Sequence, residues 1–164
     1  MSVERVREHL KQWDAQDRIL TFDQSSATVE LAAQAAGTES ARIAKTLSFR
    51  AGDRVILVVT AGDARIDNKK YKAYFHAKAS MLSHEEVTEK TGHAVGGVCP
   101  FGVKEGVEVF LDQSIRRFGT VFPAAGAANN AIEVTPEELE RFSGGMWVDV
   151  CKGYAGAEPA AEGG

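Results

Sequence analysis

Residues 42–60 constrain the fold most. Arg42 to Arg50 reads as a strand, Gly52-Asp53 as a tight turn, and Arg54 to Thr60 as a second strand. Strand side chains alternate between faces, so Ile43, Lys45, Leu47 and Phe49 share one apolar, inward face. Ala44, Thr46, Ser48 and Arg50 share the other. The chain is therefore organised around a sheet, with a lysine on its inward side. Burying an unpaired ammonium is costly. Such a lysine has a partner, lines a cavity, or sits near enough to a strand end for its amine to snorkel to water. The alternation alone leaves these readings open.

The remaining segments mix helices and strands. Val3, Val6, Leu10 and Trp13 fall at helical spacing. Arg18 to Phe22 reads as a short strand. Val29 to Ala36 reads as a helix, with Ser25, Ser26 and Thr28 as candidate caps and Gly37 as its stop. A helix is expected over Asn68 to His76. Ser83 with Glu86 forms a capping box for another, closed by Gly92. Val107 to Leu111, Thr120 to Phe122, Ala131 to Val134 and Trp147 to Val150 read as strands. Thr135-Pro136-Glu137-Glu138 opens a last helix. There is no regular βαβ alternation, which favours a mixed sheet with surrounding helices over a Rossmann or barrel fold.

At 164 residues, 44% hydrophobic and 26% charged, the chain is expected to form one globular domain over residues 1–154, with a disordered tail from 155 to 164. Cys99 and Cys151 are too few for a secreted disulfide scaffold. The longest apolar run, Val55 to Val59, is far short of a membrane span, and the N-terminus lacks a signal core. A soluble, cytoplasmic protein is expected. The net charge of −4 does not mark a nucleic-acid binder, yet the middle of the chain is net basic. Arg65, Lys69, Lys70, Lys72 and Lys78 stand against Asp67 alone. The stretch is either a phosphate contact or a solvated helix face.

Two further segments stand out. Gly96-Gly97-Val98-Cys99-Pro100-Phe101-Gly102 fixes an unusual backbone path and leaves room for main-chain N–H groups to meet an anion or a carbonyl oxygen. It is neither a Walker loop nor a GxGxxG fingerprint. Cys99 and His93 invite a thiol–imidazole reading, although nothing marks the thiol as activated. The histidines form no metal-ligand spacing. Pro123 to Asn130 could wall a small pocket or merely permit close packing.

In this order, RIAKTLSF, GHAVGGVCPFG and PAAGAANNAIEVTPEEL resemble the YbaK/EbsC family, free-standing relatives of the editing domain inserted in bacterial prolyl-tRNA synthetases. The resemblance covers about residues 15–150. It implies an α/β fold, a single domain with a mixed, partly closed sheet flanked by helices. It also implies hydrolysis of mischarged aminoacyl-tRNA, typically tRNA for proline, without cofactor or metal. The family's strand lysine matches Lys45 and is thought to hold the 3′-terminal adenosine and phosphate region. The family's Gly-x-x-x-Pro loop matches Gly96 to Pro100, and its backbone is thought to position the ester.

The catalytic set this implies is Lys45, Gly96, Gly97, Val98, Cys99 and Pro100. The substrate-binding set is Phe22, Thr46, His93, Gly102, Gly126, Asn129 and Asn130, with Lys69 and Lys70. Cysteine-specific members carry an Asp in the segment that here includes Ala131, which argues against a cysteine-specific enzyme. The small residues Gly96, Gly97, Ala125, Gly126, Ala127 and Ala128 are expected as pocket walls that admit a small amino acid and refuse proline. The expected partners are aminoacyl-tRNA and a prolyl-tRNA synthetase. A non-catalytic tRNA- or nucleotide-binding module of the same fold is the main alternative, and a thiol enzyme using Cys99 is the weaker one.

Overall fold

The computed structural model describes residues 2–26, 28–93 and 97–156. Its elements in chain order are α1 (Ser2–Leu10), β1 (Ile19–Thr21), α2 (Val29–Ala36), β2 (Ile43–Ala51), β3 (Arg54–Ala61), β4 (Arg65–Ile66), α3 (Asn68–Phe75), α4 (His84–Thr91), β5 (Glu108–Asp112), β6 (Phe122–Pro123), β7 (Asn130–Ile132), α5 (Pro136–Ser143), β8 (Met146–Val148) and β9 (Cys151–Lys152). The expected mixed sheet is present: five strands in the order β6-β2-β3-β5-β8. β2 and β3 are antiparallel, and the other neighbours run parallel. Two two-stranded pairs, β1-β7 and β4-β9, close its flanks.

Local chemistry sets the element ends. Thr28 is the cap used by α2, accepting from the Leu31 N–H. Ser83 with Glu86 and Thr135 with Glu138 form reciprocal capping boxes. The first helix ends sooner than its apolar spacing suggests. It tightens into a 3-10 turn over Lys11–Trp13 and stops at Asp14 in the left-handed region. The last long strand is also shorter than expected, because the Val150 N–H donates to the Asp112 side chain instead of extending the sheet. Residues 157–164 of the expected tail lie outside the described residues.

The sequence marks one face of β2 as inward, but both faces of the sheet are covered. Leu57, Val59 and Leu111 pack with Val6 and Leu10 of α1 and Leu139 and Phe142 of α5. Phe49, Ile56, Val58 and Phe110 pack with Tyr71 and Phe75 of α3 on the opposite side. A third cluster joins Ala32 and Ala33 of α2 to Ile43, Phe122 and Ala131. Ala44 and Ser48, on the face read as outward, are therefore buried.

The outer edge of β2 is only partly protected. β6 pairs with Ile43 and Ala44 and then leaves. Farther along, Leu82 N–H donates to Ser48 O, and Arg50 N–H donates to Ser80 O. Residues 45–47 lie between these two contacts, and there the edge opens.

Candidate functional site

A cavity of about 470 Å³ occupies this opening. Its floor is β2 from Ile43 to Ser48. Thr28 and Val29 wall it on one side, Met81, Leu82 and His84 on another, and Val98, Phe122, Ala124 and Asn130 on the third. The volume lies in the range of small-molecule and cofactor sites. Among the described residues, no group of three His, Cys, Asp or Glu side chains is placed to hold a metal ion.

Lys45 and Thr46 project to opposite faces of β2, yet both border the cavity because it wraps the strand edge. The Lys45 side chain has no ion-pair or hydrogen-bond partner among the described residues. Burial pulls its ammonium below the ordinary lysine range, against weaker raising by Cys151, Asp63 and Glu30. Thr46 Oγ1 is buried and has no hydrogen-bond partner among the described residues. The Thr46 main chain is also turned to the opening. In this antiparallel ladder the groups of Ser48 and Arg50 point away from β3, so those of Thr46 point the same way. Among the described residues no strand is paired there. A strand edge with an unpaired cation, an unpaired hydroxyl and an exposed peptide group suits a ligand bearing both anionic and carbonyl oxygens.

The glycine–proline loop lies beside this cavity and, among its described residues, contributes Val98 to the lining. Gly96 lies outside the described residues. Gly97 does not occupy the left-handed region; it is glycine because of close approach. A Cβ there would lie 2.9 Å from the Cα and N of Ala127. Gly126 is required twice over, by φ of +97° and by the Ser2 carbonyl 2.9 Å from where a Cβ would sit. Gly97 and Gly126, both expected as pocket walls, thus press two loops together and onto α1. Ala124 and Ala131 line the cavity instead.

Cys99, Pro100 and His93 are buried behind the loop, away from the cavity lining. His93 Nε2–H donates to Phe101 O at 2.7 Å, which leaves Nδ1 to accept from the Ser2 hydroxyl at 2.5 Å. Burial holds the imidazole below its ordinary pKa, against weaker raising by the Phe101 carbonyl. The Cys99 sulfur lies 3.6 Å from His93 Nε2, but its thiol is pushed up to about 12 by complete burial. A fully buried thiol facing the core, away from the cavity, does not support the thiol-enzyme reading. Gly102 packs on Arg5, whose Nε donates to the Gly102 carbonyl.

The other expected binding residues divide similarly. Asn130 borders the cavity, but most of its amide is engaged in holding the loop. Oδ1 accepts from Ala125 and Ala127 N–H, and Nδ2 donates to Ala125 O. Asn130 fixes the loop, its carbonyl oxygen taken by two N–H groups and one of its two amide hydrogens by Ala125 O. Phe22 and Asn129 join each other: Phe22 N–H donates to Asn129 O at 2.7 Å. Neither lines the cavity. Lys70 is buried and bound to Asp149 and the Cys151 carbonyl, whereas Lys69 is exposed in a second hollow. Ser26, Thr28, Met81 and His84 line the cavity without any advance sign in the sequence.

Residues 23–142 match the family model of the aminoacyl-tRNA editing domain. The chain is 56% identical over 156 residues to the uncharacterised protein YwhH of Bacillus subtilis, covering 94% of this chain and 99% of the relative. It is 28% identical over 126 residues to EbsC of Enterococcus faecalis, a candidate Cys-tRNA(Pro)/Cys-tRNA(Cys) deacylase, covering 75% of this chain and 76% of that one. A solved structure described as a candidate trans-editing enzyme for prolyl tRNA synthetase superposes with a TM-score of 0.84 at 29% identity, covering 93% of this chain and 98% of the other.

Proposed function

We propose, from the premise that this chain belongs to the aminoacyl-tRNA editing domain family, that it hydrolyses mischarged aminoacyl-tRNA in trans, removing a small amino acid from tRNA for proline. The observation that carries this reading is the cavity at the open edge of β2, where Lys45 and Thr46 present polar groups without partners. The likeness to EbsC and to the trans-editing structure supports a deacylase acting on tRNA for proline. Among the described residues no helix is long and apolar enough to cross a membrane.

An aminoacyl ester is already activated, so positioning and fixed dipoles can supply most of the catalysis. In the proposed complex the Lys45 ammonium holds the phosphate end of the terminal nucleotide. The Thr46 hydroxyl and main-chain N–H hold oxygen atoms of the ribose or the ester. A water attacks the carbonyl carbon, and the oxygen gains negative charge that these donors stabilise. The bond from the acyl carbon to the ribose oxygen then breaks. The water's proton passes to that oxygen, releasing the amino acid and an uncharged tRNA. Val98, Ala124 and Ala131 bound the space left for the amino-acid side chain.

Side-by-side deacylation of Ala-, Ser-, Thr-, Cys- and Pro-tRNA at equal concentration tests the proposal. A small aminoacyl ester should be cleaved and prolyl ester spared. Pro-tRNA cleaved as fast as the best of the others would overturn the substrate assignment. Tight tRNA binding with no hydrolysis of any ester would make the chain a binding module.

A further inference from the structure

We infer that a second hollow, on the outer face of α3, seats acceptor-stem phosphates of the tRNA whose 3′ end enters the first cavity. The inference rests on the aminoacyl-tRNA reading above. The hollow is about 720 Å³ and is lined by Asn68, Lys69, Lys72, Ala73, Lys78 and Ala79. Its three lysines are exposed, and none of their side chains has an ion-pair or hydrogen-bond partner among the described residues. Three unpaired cations thus converge on one hollow in a chain of net charge −4, whereas Arg18, Arg42, Arg50, Arg54, Lys70 and Arg117 each meet a carboxylate.

Local structure keeps this charge unneutralised. Asp67 is the only acid in the stretch, and it is spent as the cap of α3, accepting from the Lys69 and Lys70 N–H groups. Lys69 and Lys72, three apart, share one helical face, while Lys70 turns inward to Asp149. Ala73 and Ala79 leave the space between the lysines open. Lysines of this kind bind phosphate as point charges, without reading sequence.

One short segment of chain links the hollow to the first cavity. Lys78 and Ala79 line one, and Met81 and Leu82, a few residues on, line the other. The segment is pinned to β2 by hydrogen bonds at Ser80 and Leu82. Residues 78–82 span at most roughly 17 Å when extended, a distance an RNA strand covers in a few nucleotides. A polyanion with its end at Lys45 would thus run over Lys78 toward Lys69 and Lys72.

The test is the full chain carrying Lys69→Glu, Lys72→Glu and Lys78→Glu together, with the matching triple Lys→Gln variant and the triple Lys→Arg variant. Binding of uncharged tRNA is measured across a salt series. Hydrolysis is measured on mischarged tRNA and on alanyl-adenosine, which has no stem. Tenfold or greater weakening is expected for both neutral and acidic variants, with a salt slope shallower by about 2 and recovery in the arginine variant. KM for charged tRNA should rise with kcat within twofold, and cleavage of alanyl-adenosine should be unchanged. Unaltered affinity and salt slope would overturn the inference and leave the proposed activity standing. If the wild type cleaves no ester, the activity fails, and the binding series still decides the hollow. Intact tRNA binding with lost binding to phosphatidylglycerol vesicles would also overturn it, in favour of a membrane surface.

Discussion

The opening at β2 and the cluster behind the glycine loop make an instructive pair. The cluster holds the residue types usually associated with catalysis, a thiol and an imidazole within 3.6 Å. All its hydrogen-bonding capacity is used: Ser2 and Phe101 occupy both His93 nitrogens, and Cys99 points at the Phe101 carbonyl. The opening holds a lysine and a threonine, less suggestive in type, but their polar groups are unspent. A buried polar group without a partner costs roughly 1–3 kcal/mol, so a fold that keeps one at a cavity wall has given up stability there. Unsatisfied chemistry beside an open cavity, more than residue type, marks the site: Gln16 Oε1 and Tyr71 Oη are also buried without partners among the described residues, but neither residue lines the cavity.

The sharpest way to break that contrast is Lys45→Ala. Deacylation should fall by about a hundredfold or more, the scale for losing one preorganised charge-stabilising contact. The melting temperature should hold or rise, because a half-buried ammonium without a partner is removed. Activity within twofold of wild type would remove Lys45 from the site. Next in size is Gly97→Val, whose side chain must displace the Ala127 backbone. It should cost about 1–3 kcal/mol of stability by overpacking and reduce activity more than any change at Cys99. Wild-type stability and rate in this variant would show that the two loops can separate freely.

Thr46→Val tests the orphaned hydroxyl at constant shape. A loss of about tenfold in kcat/KM is expected, with stability equal or higher and with rescue by Thr46→Ser. A stability loss in Thr46→Val would reveal a partner for the hydroxyl in the free protein. Cys99→Ala should leave kcat within about threefold and cost about 1–2 kcal/mol through the space vacated in the core. Acyl trapping on Cys99 would reverse the comparison.

The smallest effect is in pH. His93 is held below its ordinary pKa of about 6.5, so the unfolded chain takes up a proton that the folded chain resists. Its contribution to stability is complete above that ordinary value and declines as pH falls below it toward the folded pKa. Thermal unfolding between pH 7 and 5 should show the decline, and His93→Asn should flatten it. An unchanged slope would place the acid-labile groups elsewhere.

Much of this was legible in the sequence because it is local. Strand alternation put Lys45 on the inward face, and capping chemistry marked the helix starts at Thr28, Ser83 and Thr135. What was not legible depends on where distant segments stop. The cavity exists because β6 leaves β2 after Ala44 and the 80–82 segment joins only at Ser48. Nothing local announces Met81 or His84 as its walls. Proximity in a loop suggested His93 with Cys99, but whether a loop side chain faces core or cleft is decided by what packs behind it, here α1. Lys69 and Lys70 are neighbours of identical type. Asp149 and the Cys151 carbonyl, some eighty residues away, separate one from the other.

The main-chain group that Thr46 turns to the opening has a consequence for inheritance. A side chain can be exchanged by a single substitution, but every residue other than proline carries the same peptide N–H. A site anchored partly on backbone keeps that anchor while its walls vary. In the proposed site, descendants of such a chain can drift at Val98, Ala124 or Ala131 and change which side chain fits, without rebuilding the backbone group proposed to hold the ester. Diversification of specificity within one fold then requires only changes of lining, each small enough to be reached one step at a time.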